Sequence, residues 1–163
     1  MSKEPKGKNT FQVITENRQA RHHFFIHQTF EAGIELKGCE VKSLREGSVQ
    51  LKEGYAHVVN HQLFLEGVYI SPYIFARTDE IDPQRSRRLL VHKKEISQIL
   101  SEIQLKRFTL VPLKLYFKNG MAKIELGLAK GKKIYDKREA IKKRETERMI
   151  DRAKKQKGYH AKT

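Results

Sequence analysis

The residues with the most chemical leverage in this chain are cations, and they are unevenly placed. Of 34 Lys and Arg in 163 residues, fourteen lie in residues 130–163 against five Asp and Glu, a net of +9. Residues 1–129 carry twenty against fourteen, a net of only +6. Lys and Arg at such density engage phosphate. Guanidinium groups bind it bidentately, ammonium groups act as point charges, and each neutralised phosphate releases a counterion. Two further runs, Asn17-Arg-Gln-Ala-Arg-His22 and Arg85-Ser-Arg-Arg88, can present guanidinium groups that also stack on bases. Either run alone reads equally well as a solvated charged loop. Two of them on a basic domain with a basic arm point to an RNA partner.

Other chemistry finds little support. His22, His23 and His27 cluster, but on an extended strand His23 and His27 share one face while His22 points to the other. No Cys or second His pair completes a metal site. Glu31, Glu35 and Glu40 are spaced four and five residues apart, which does not fix two carboxyls about a bond for acid–base work. Cys39 and Ser43 have no patterned base beside them. Gly131-Lys-Lys133 lacks the spaced glycine and following Ser or Thr of a phosphate loop. Neither an enzyme nor a cofactor is expected.

The elements that must position these residues read mostly as strands before residue 130. Residues 22–34 form a β-prone stretch reaching Gly33, which can bulge or bend it. Residues 40–46 break that pattern as a short helix closed by Gly47. Residues 55–59 and 63–70 flank Asn60-His-Gln62 as a hairpin, and residues 71–88 read as a loop. Ile96, Ile99, Leu100 and Ile103 fall at i, i+3, i+4 and i+7, one apolar helix face. Residues 108–118 and 121–129 flank Asn119-Gly120, a strong hairpin signal. Their alternating Leu113, Leu115, Phe117 and Ile124, Leu126, Leu128 give one buried and one wet face. Pro112 confines the first of these strands to an edge or a bulge at that point.

Five or six strands and two short helices predict a mainly β protein. Its expected form is a small, closed or partly closed barrel of the oligonucleotide-binding type with short peripheral helices and a basic C-terminal tail. The predicted division is a flexible N-terminus at residues 1–9, the barrel at 10–129, and the tail at 130–163. The tail holds few large apolar residues, so alone it is expected to be a mobile arm. The same sparseness argues against a membrane-surface helix. No apolar run reaches bilayer length and the first residues lack an apolar signal core, so a cytoplasmic protein is expected. One cysteine excludes an internal disulfide framework. No apolar heptad is present, and a monomer is expected.

Particular strings then carry a resemblance. Phe30-Glu-Ala-Gly-Ile34, Gly38-Cys-Glu-Val-Lys-Ser-Leu-Arg45 and Gly47 resemble the signature of the SsrA-binding protein family, the protein partners of bacterial transfer-messenger RNA. The likeness continues in order through Asp82-Pro83, Arg85, Arg87-Arg-Leu-Leu90, Val111-Pro-Leu113, Leu115-Tyr-Phe117, Ala129-Lys-Gly-Lys-Lys133 and Asp136-Lys-Arg138.

The resemblance implies an oligonucleotide-binding-type barrel with a tail disordered in solution. The barrel would bind the tRNA-like domain of transfer-messenger RNA near its elbow, replacing an absent anticodon arm. The tail would enter the vacant mRNA channel of a stalled ribosome, near the decoding centre of the small subunit, and fold there as a helix. Asn17, Glu31 and Leu90 match the family's RNA-contacting positions, with Arg21, His22 and Arg45 in support. Gly131, Lys132, Lys133, Asp136, Lys137 and Arg138 match its tail strings, Asp136 as helix N-cap or Arg orienter. Tyr135 stands where some members carry a His assigned to stacking on a decoding-centre base. A phenol stacks similarly but gains no charge near neutral pH. Thr146 and Ala153 stand where some members have large apolar residues, which leaves Met149 and Ile150 for any late anchoring. Two other readings predict different behaviour. An RNA-modifying or RNA-cleaving enzyme would turn over substrate. A constitutive ribosomal protein would sit on every translating ribosome.

Overall fold

A computed structural model of the chain describes residues 10–75 and 82–159, without the side chains of 134–137, 140 and 153–159. The predicted flexible N-terminus, residues 1–9, lies outside the described residues. The chain divides into two compact units, Met1–Lys130 and Gly131–Thr163.

The first unit is mainly β. In chain order it holds β1 (Phe11–Glu16), α1 (Ala20–His23), β2 (Phe24–Ile34), α2 (Gly38–Arg45), β3 (Val49–Gln50), β4 (Tyr55–Val59) and β5 (Gln62–Glu66). There follow β6 (Tyr69–Ile70), β7 (Arg87–Leu90), α3 (Lys93–Lys106), β8 (Thr109–Lys118) and β9 (Met121–Gly131). The strands run in the order β1-β8-β4-β5-β7-β2-β9, and a further β8–β9 pairing closes the last six into a ring. β3 and β6 form a separate pair. Closure leaves the ring strands no free edge, which disposes of unpaired backbone groups.

Alternation fills the ring. Leu63, Leu65, Leu110, Leu115, Ile124, Leu126 and Leu128 are fully buried, and Leu44 from α2 and Ile99 from α3 join the same cluster. Each such side chain contributes about 2–3 kcal/mol of burial free energy. The two tight hairpins are closed by left-handed residue pairs, Asn60 (φ 48°) with His61 (φ 58°) and Asn119 (φ 52°) with Gly120 (φ 78°). Both match the twist that strand pairs require. α2 ends as its sequence predicts, with Gly47 at φ 74°. Pro112 sits at a register shift between β8 and β9, the predicted bulge.

Several elements differ from expectation: residues 49–50 form the unanticipated β3, residues 63–70 are two strands, β5 and β6, parted at Gly67 (φ 68°), and three others depart further. Residues 22 and 23 are helical rather than extended, because the Asn17 side chain accepts a hydrogen bond from the Ala20 N–H (3.1 Å) and starts a turn. His23 and His27 therefore share no strand face. β1 was not anticipated at all. β7 begins inside the predicted loop because its inward positions are Arg87 and Leu89, and a charged inward residue breaks the apolar alternation.

Arg87 is tolerated there by a network. It is 0% exposed, and Glu40 of α2 is 4% exposed. Arg87 Nε donates to Glu40 Oε1 (2.9 Å), Nη1 to the Val68 carbonyl (2.8 Å) and Nη2 to the Pro83 carbonyl (2.8 Å). Arg85 donates to both Glu40 oxygens (3.1 and 2.6 Å), and the Lys37 N–H adds a fourth bond to the carboxylate (2.8 Å). Burial alone pushes the Glu40 carboxyl up, but the Arg85 bonds, the Lys37 amide and the Arg87 charge outweigh it and hold it below the usual carboxylate range. α2 and β7 are thus locked together. Glu40→Gln leaves Arg87 buried without its counter-charge and should lower stability by about 3–5 kcal/mol at pH 7. A carboxyl depressed on folding stabilises above its unfolded pKa and loses that effect as pH falls through its folded pKa. Urea denaturation should therefore show the gap between variant and parent narrowing below about pH 4. A gap that is small at pH 7, or independent of pH, would contradict the assignment.

Candidate nucleic-acid interface

Glu31 and Leu90 are brought to one outer face. β2 places Glu31 and Gly33 on its outward side, exposed Glu35 follows its end, and Leu90 of β7 lies opposite Gly33. A Cβ at residue 33 would come within 3.2 Å of Leu90 Cβ, so glycine is what lets Leu90 lie flat across β2. Leu90 is 52% exposed. It borders an apolar groove of about 330 Å³ whose other walls include Val41 of α2 and Phe117, Met121 and Lys123 of the β8–β9 hairpin. Arg45 is exposed one helical turn beyond Val41.

Beside the groove, Glu31 gathers a cationic cluster. Its carboxylate accepts a hydrogen bond from the Tyr116 hydroxyl (2.6 Å) and bonds from Lys118 Nζ (3.0 and 3.2 Å), with Lys123 Nζ at 3.6 Å. The Tyr116 bond, then the Lys118 bond, hold the Glu31 carboxyl below its ordinary range. Burial, then the bond to Glu31, push the Tyr116 phenol up. Phe11 covers the phenol, ring centroids 4.8 Å apart. One negative charge thereby aligns two ammonium groups and leaves the patch net positive. Tyr116, Lys118 and Lys123 escaped sequence reasoning, although the wet face of the predicted hairpin contained them.

Asn17, Arg21 and His22 form a second group at the β1–α1 corner. Asn17 Nδ2 donates to the Leu51 and Pro112 carbonyls (3.3 and 3.1 Å), and its backbone N–H donates to the Leu113 carbonyl (2.7 Å). With Oδ1 capping Ala20, the whole amide is engaged by the protein's own backbone. Asn17 positions the corner; Arg21 is exposed on it, and His22 packs edge-on to His23 (5.1 Å). A cavity of about 270 Å³ opens here, lined among others by Asn17, His23, Lys52 and Tyr55.

The Arg85-Ser-Arg-Arg88 run does not present three guanidinium groups outward. Arg85 and Arg87 are bound to Glu40, and only Arg88 is exposed, paired with Glu35 at 3.0 Å. Glu31, Glu35 and Glu40 each have basic partners and form no acid–base pair. Among the described residues no group of three or more His, Cys, Asp or Glu is placed to hold a metal.

The second unit is α4 (Ile134–Tyr159), 26 residues. Gly131, Lys133 and Arg138 are exposed and Lys132 is half-buried, while the side chains of Tyr135, Asp136, Lys137 and Ala153 lie outside the described residues. Every described side chain from residue 138 onward is exposed, Met149 and Ile150 included. Thr146 Oγ1 donates to the Lys142 carbonyl (2.9 Å), so this residue satisfies itself within the helix. Asp136 falls in the first turn rather than at the N-cap, because the helix begins at Ile134. No described helix is long and apolar enough to cross a membrane.

A closed β-barrel with a cationic, partly apolar outer face, joined to a basic helix, defines a small nucleic-acid-binding protein. Comparison makes this specific. The family model for SmpB protein matches residues 14–156. The SsrA-binding protein of Acetivibrio thermocellus is 55% identical over 152 residues, covering 93% of this chain and 96% of its own. That of Geobacter sulfurreducens is 50% identical over 145 residues, covering 89% and 95%. A solved structure from "tmRNA-SmpB: a journey to the center of the bacterial ribosome" superposes with a TM-score of 0.64 at 48% identity, covering 78% of this chain and 93% of that one. The chain belongs to the SmpB family.

The Glu31 cluster yields a direct test. Tyr116→Phe removes the largest contribution to the Glu31 shift, so the carboxyl midpoint followed by NMR should rise toward the ordinary glutamate range. An unmoved midpoint would mean that the hydroxyl does not hold the carboxylate.

Proposed function

We propose that this protein is an RNA-binding factor for ribosome rescue by trans-translation, acting as a binding factor in the cytoplasm as a monomer and without a cofactor. The observation that carries this reading is the family match over residues 14–156, together with the Leu90 groove and the Glu31–Lys118–Lys123 cluster on one outer face. The ring is assigned to the oligonucleotide-binding type, a barrel whose strand faces bind nucleic acid. Its target is the tRNA-like domain of transfer-messenger RNA. Lys118 and Lys123 meet phosphates, Leu90 packs against a sugar or base edge, and Arg21, His22 and Arg45 add contacts at the rim.

Residues 130–163 serve the ribosome. Twenty-six helical residues span about 39 Å at 1.5 Å per residue, a length suited to a channel. A helix whose described side chains are exposed gains little from packing, and lone helices are marginal in water. The segment is therefore disordered when free and helical in the vacant mRNA channel, where ribosomal RNA supplies phosphates on all sides. An mRNA in the channel excludes it, so its folding reports a missing message. Gly131, Lys132, Lys133, Tyr135, Asp136, Lys137 and Arg138 enter near the decoding centre in place of a codon–anticodon stem. The ordering cost of coupled folding, about 2–5 kcal/mol, keeps the engagement reversible.

Residues 1–130 alone should keep their preference for transfer-messenger RNA over ordinary tRNA and lose tagging on ribosomes stalled without a stop codon. Lys132→Ala with Lys133→Ala should reduce tagging in the same way. If the truncated chain loses its RNA preference and only a steep salt dependence remains, the barrel is not the recognition module.

A further inference from the structure

The outer face of β4, β5 and β7 carries a row of side chains of which only Tyr55, at the edge of the Asn17 cavity, borders a site already described. Tyr55 and His57 lie on β4, Phe64 pairs opposite His57 on β5, and Arg88 pairs opposite Phe64 on β7. Tyr55 is 50% exposed, and Phe64 and His57 are half-buried. The centroids are 5.9 Å apart for Tyr55 and His57 and 6.3 Å for His57 and Phe64, with both pairs inclined at 33°. The rings thus form one contiguous row across β4 and β5, with Tyr55 its most exposed member. Arg88 ends the row with an exposed ion pair to Glu35, a weak contact readily exchanged for phosphate.

Its place in the fold matters as much as its composition. Tyr55 also lines the cavity at the Asn17 corner, and Arg88 stands two residues from Leu90 on the same side of β7. The row therefore bridges the two groups of candidate contact residues. Aromatic rings beside a guanidinium, on a barrel whose residues 1–129 carry a net charge of +6 and with Glu66 opposite Tyr55 as the acid in the row, favour nucleic acid over an acidic protein partner. Ring spacing near 6 Å exceeds the ~3.4 Å per nucleotide of a stacked duplex strand. A strand drawn out of its helical stack fits such spacing; a duplex does not.

We propose that this face is a stacking track for unpaired nucleotides, with Tyr55, His57 and Phe64 receiving bases and Arg88 a phosphate. The proposal deepens the RNA-binding reading and rests on it, but concerns single-stranded rather than folded RNA. The test titrates the full-length protein with a ten-residue oligouridine and, separately, with the isolated tRNA-like domain, following ring resonances by NMR. Oligouridine should shift Tyr55, His57 and Phe64, and Tyr55→Ala should weaken it about tenfold, the low end of one stacked base. Tyr55→Phe, which keeps the ring, should restore binding and guard against a folding defect. Oligouridine shifts confined to α4 lysines or to the Leu90 groove, or a protein ligand occupying these rings instead, would overturn the track. If the tRNA-like domain still binds in that case, the proposed function stands; if it too fails to bind, that reading falls separately.

Discussion

Glu40 is a buried carboxylate held by two guanidinium groups and a backbone amide, and the geometry of the Leu90 face descends from it. Strand side chains alternate, so a one-residue slip of β7 would turn Arg87 outward and Leu90 into the core. An apolar β7 could tolerate that slip. A β7 whose inward Arg must find Glu40 and the Val68 and Pro83 carbonyls cannot. The desolvation of such a pair is expensive, and well-packed apolar residues often do as well for stability. Its contribution here is register. By fixing β7 against α2 it sets Leu90 over Gly33 and Val41 along the groove.

Charge is used in opposite ways in the two units. In the barrel, cations are organised by carboxylates: Arg85 and Arg87 by Glu40, Arg88 by Glu35, Lys118 and Lys123 by Glu31. These groups are held before any ligand arrives, so the loss of side-chain entropy on binding is reduced. In residues 130–163 the excess of +9 has few acids to organise it. Such a segment binds many phosphates and selects poorly among them, whereas a preorganised patch can select. The contrast supports the proposed division in which the barrel recognises RNA and the tail serves the ribosome.

The sequence disclosed what is local. Asn119-Gly120 announced its hairpin, Gly47 closed α2, the Ile96-to-Ile103 spacing located α3, and Pro112 marked a bulge, because each signal acts within a few residues. β7 stayed hidden, since its inward Arg87 is explained only by Glu40, 47 residues away. For the same reason the arginine run read as an RNA contact, when two of its three guanidinium groups are structural. Helix α1 was missed because one Asn side chain overrode β-prone neighbours. Glu31 and Leu90 stood out through family resemblance alone. Physical chemistry of the sequence could not say that a glycine opposite Leu90 and a tyrosine hydroxyl reaching Glu31 from β8 would make a surface of them.

The central claim is that the barrel face, not the basic helix, recognises the folded RNA. Hydrogen exchange of the full-length protein, alone and saturated with the isolated tRNA-like domain, tests it most directly. The account predicts slowed exchange at the backbone around residues 17–24, 31–34, 88–90 and 118–123, with α4 unchanged. Protection confined to α4, with the barrel exchanging as in the free protein, would contradict it.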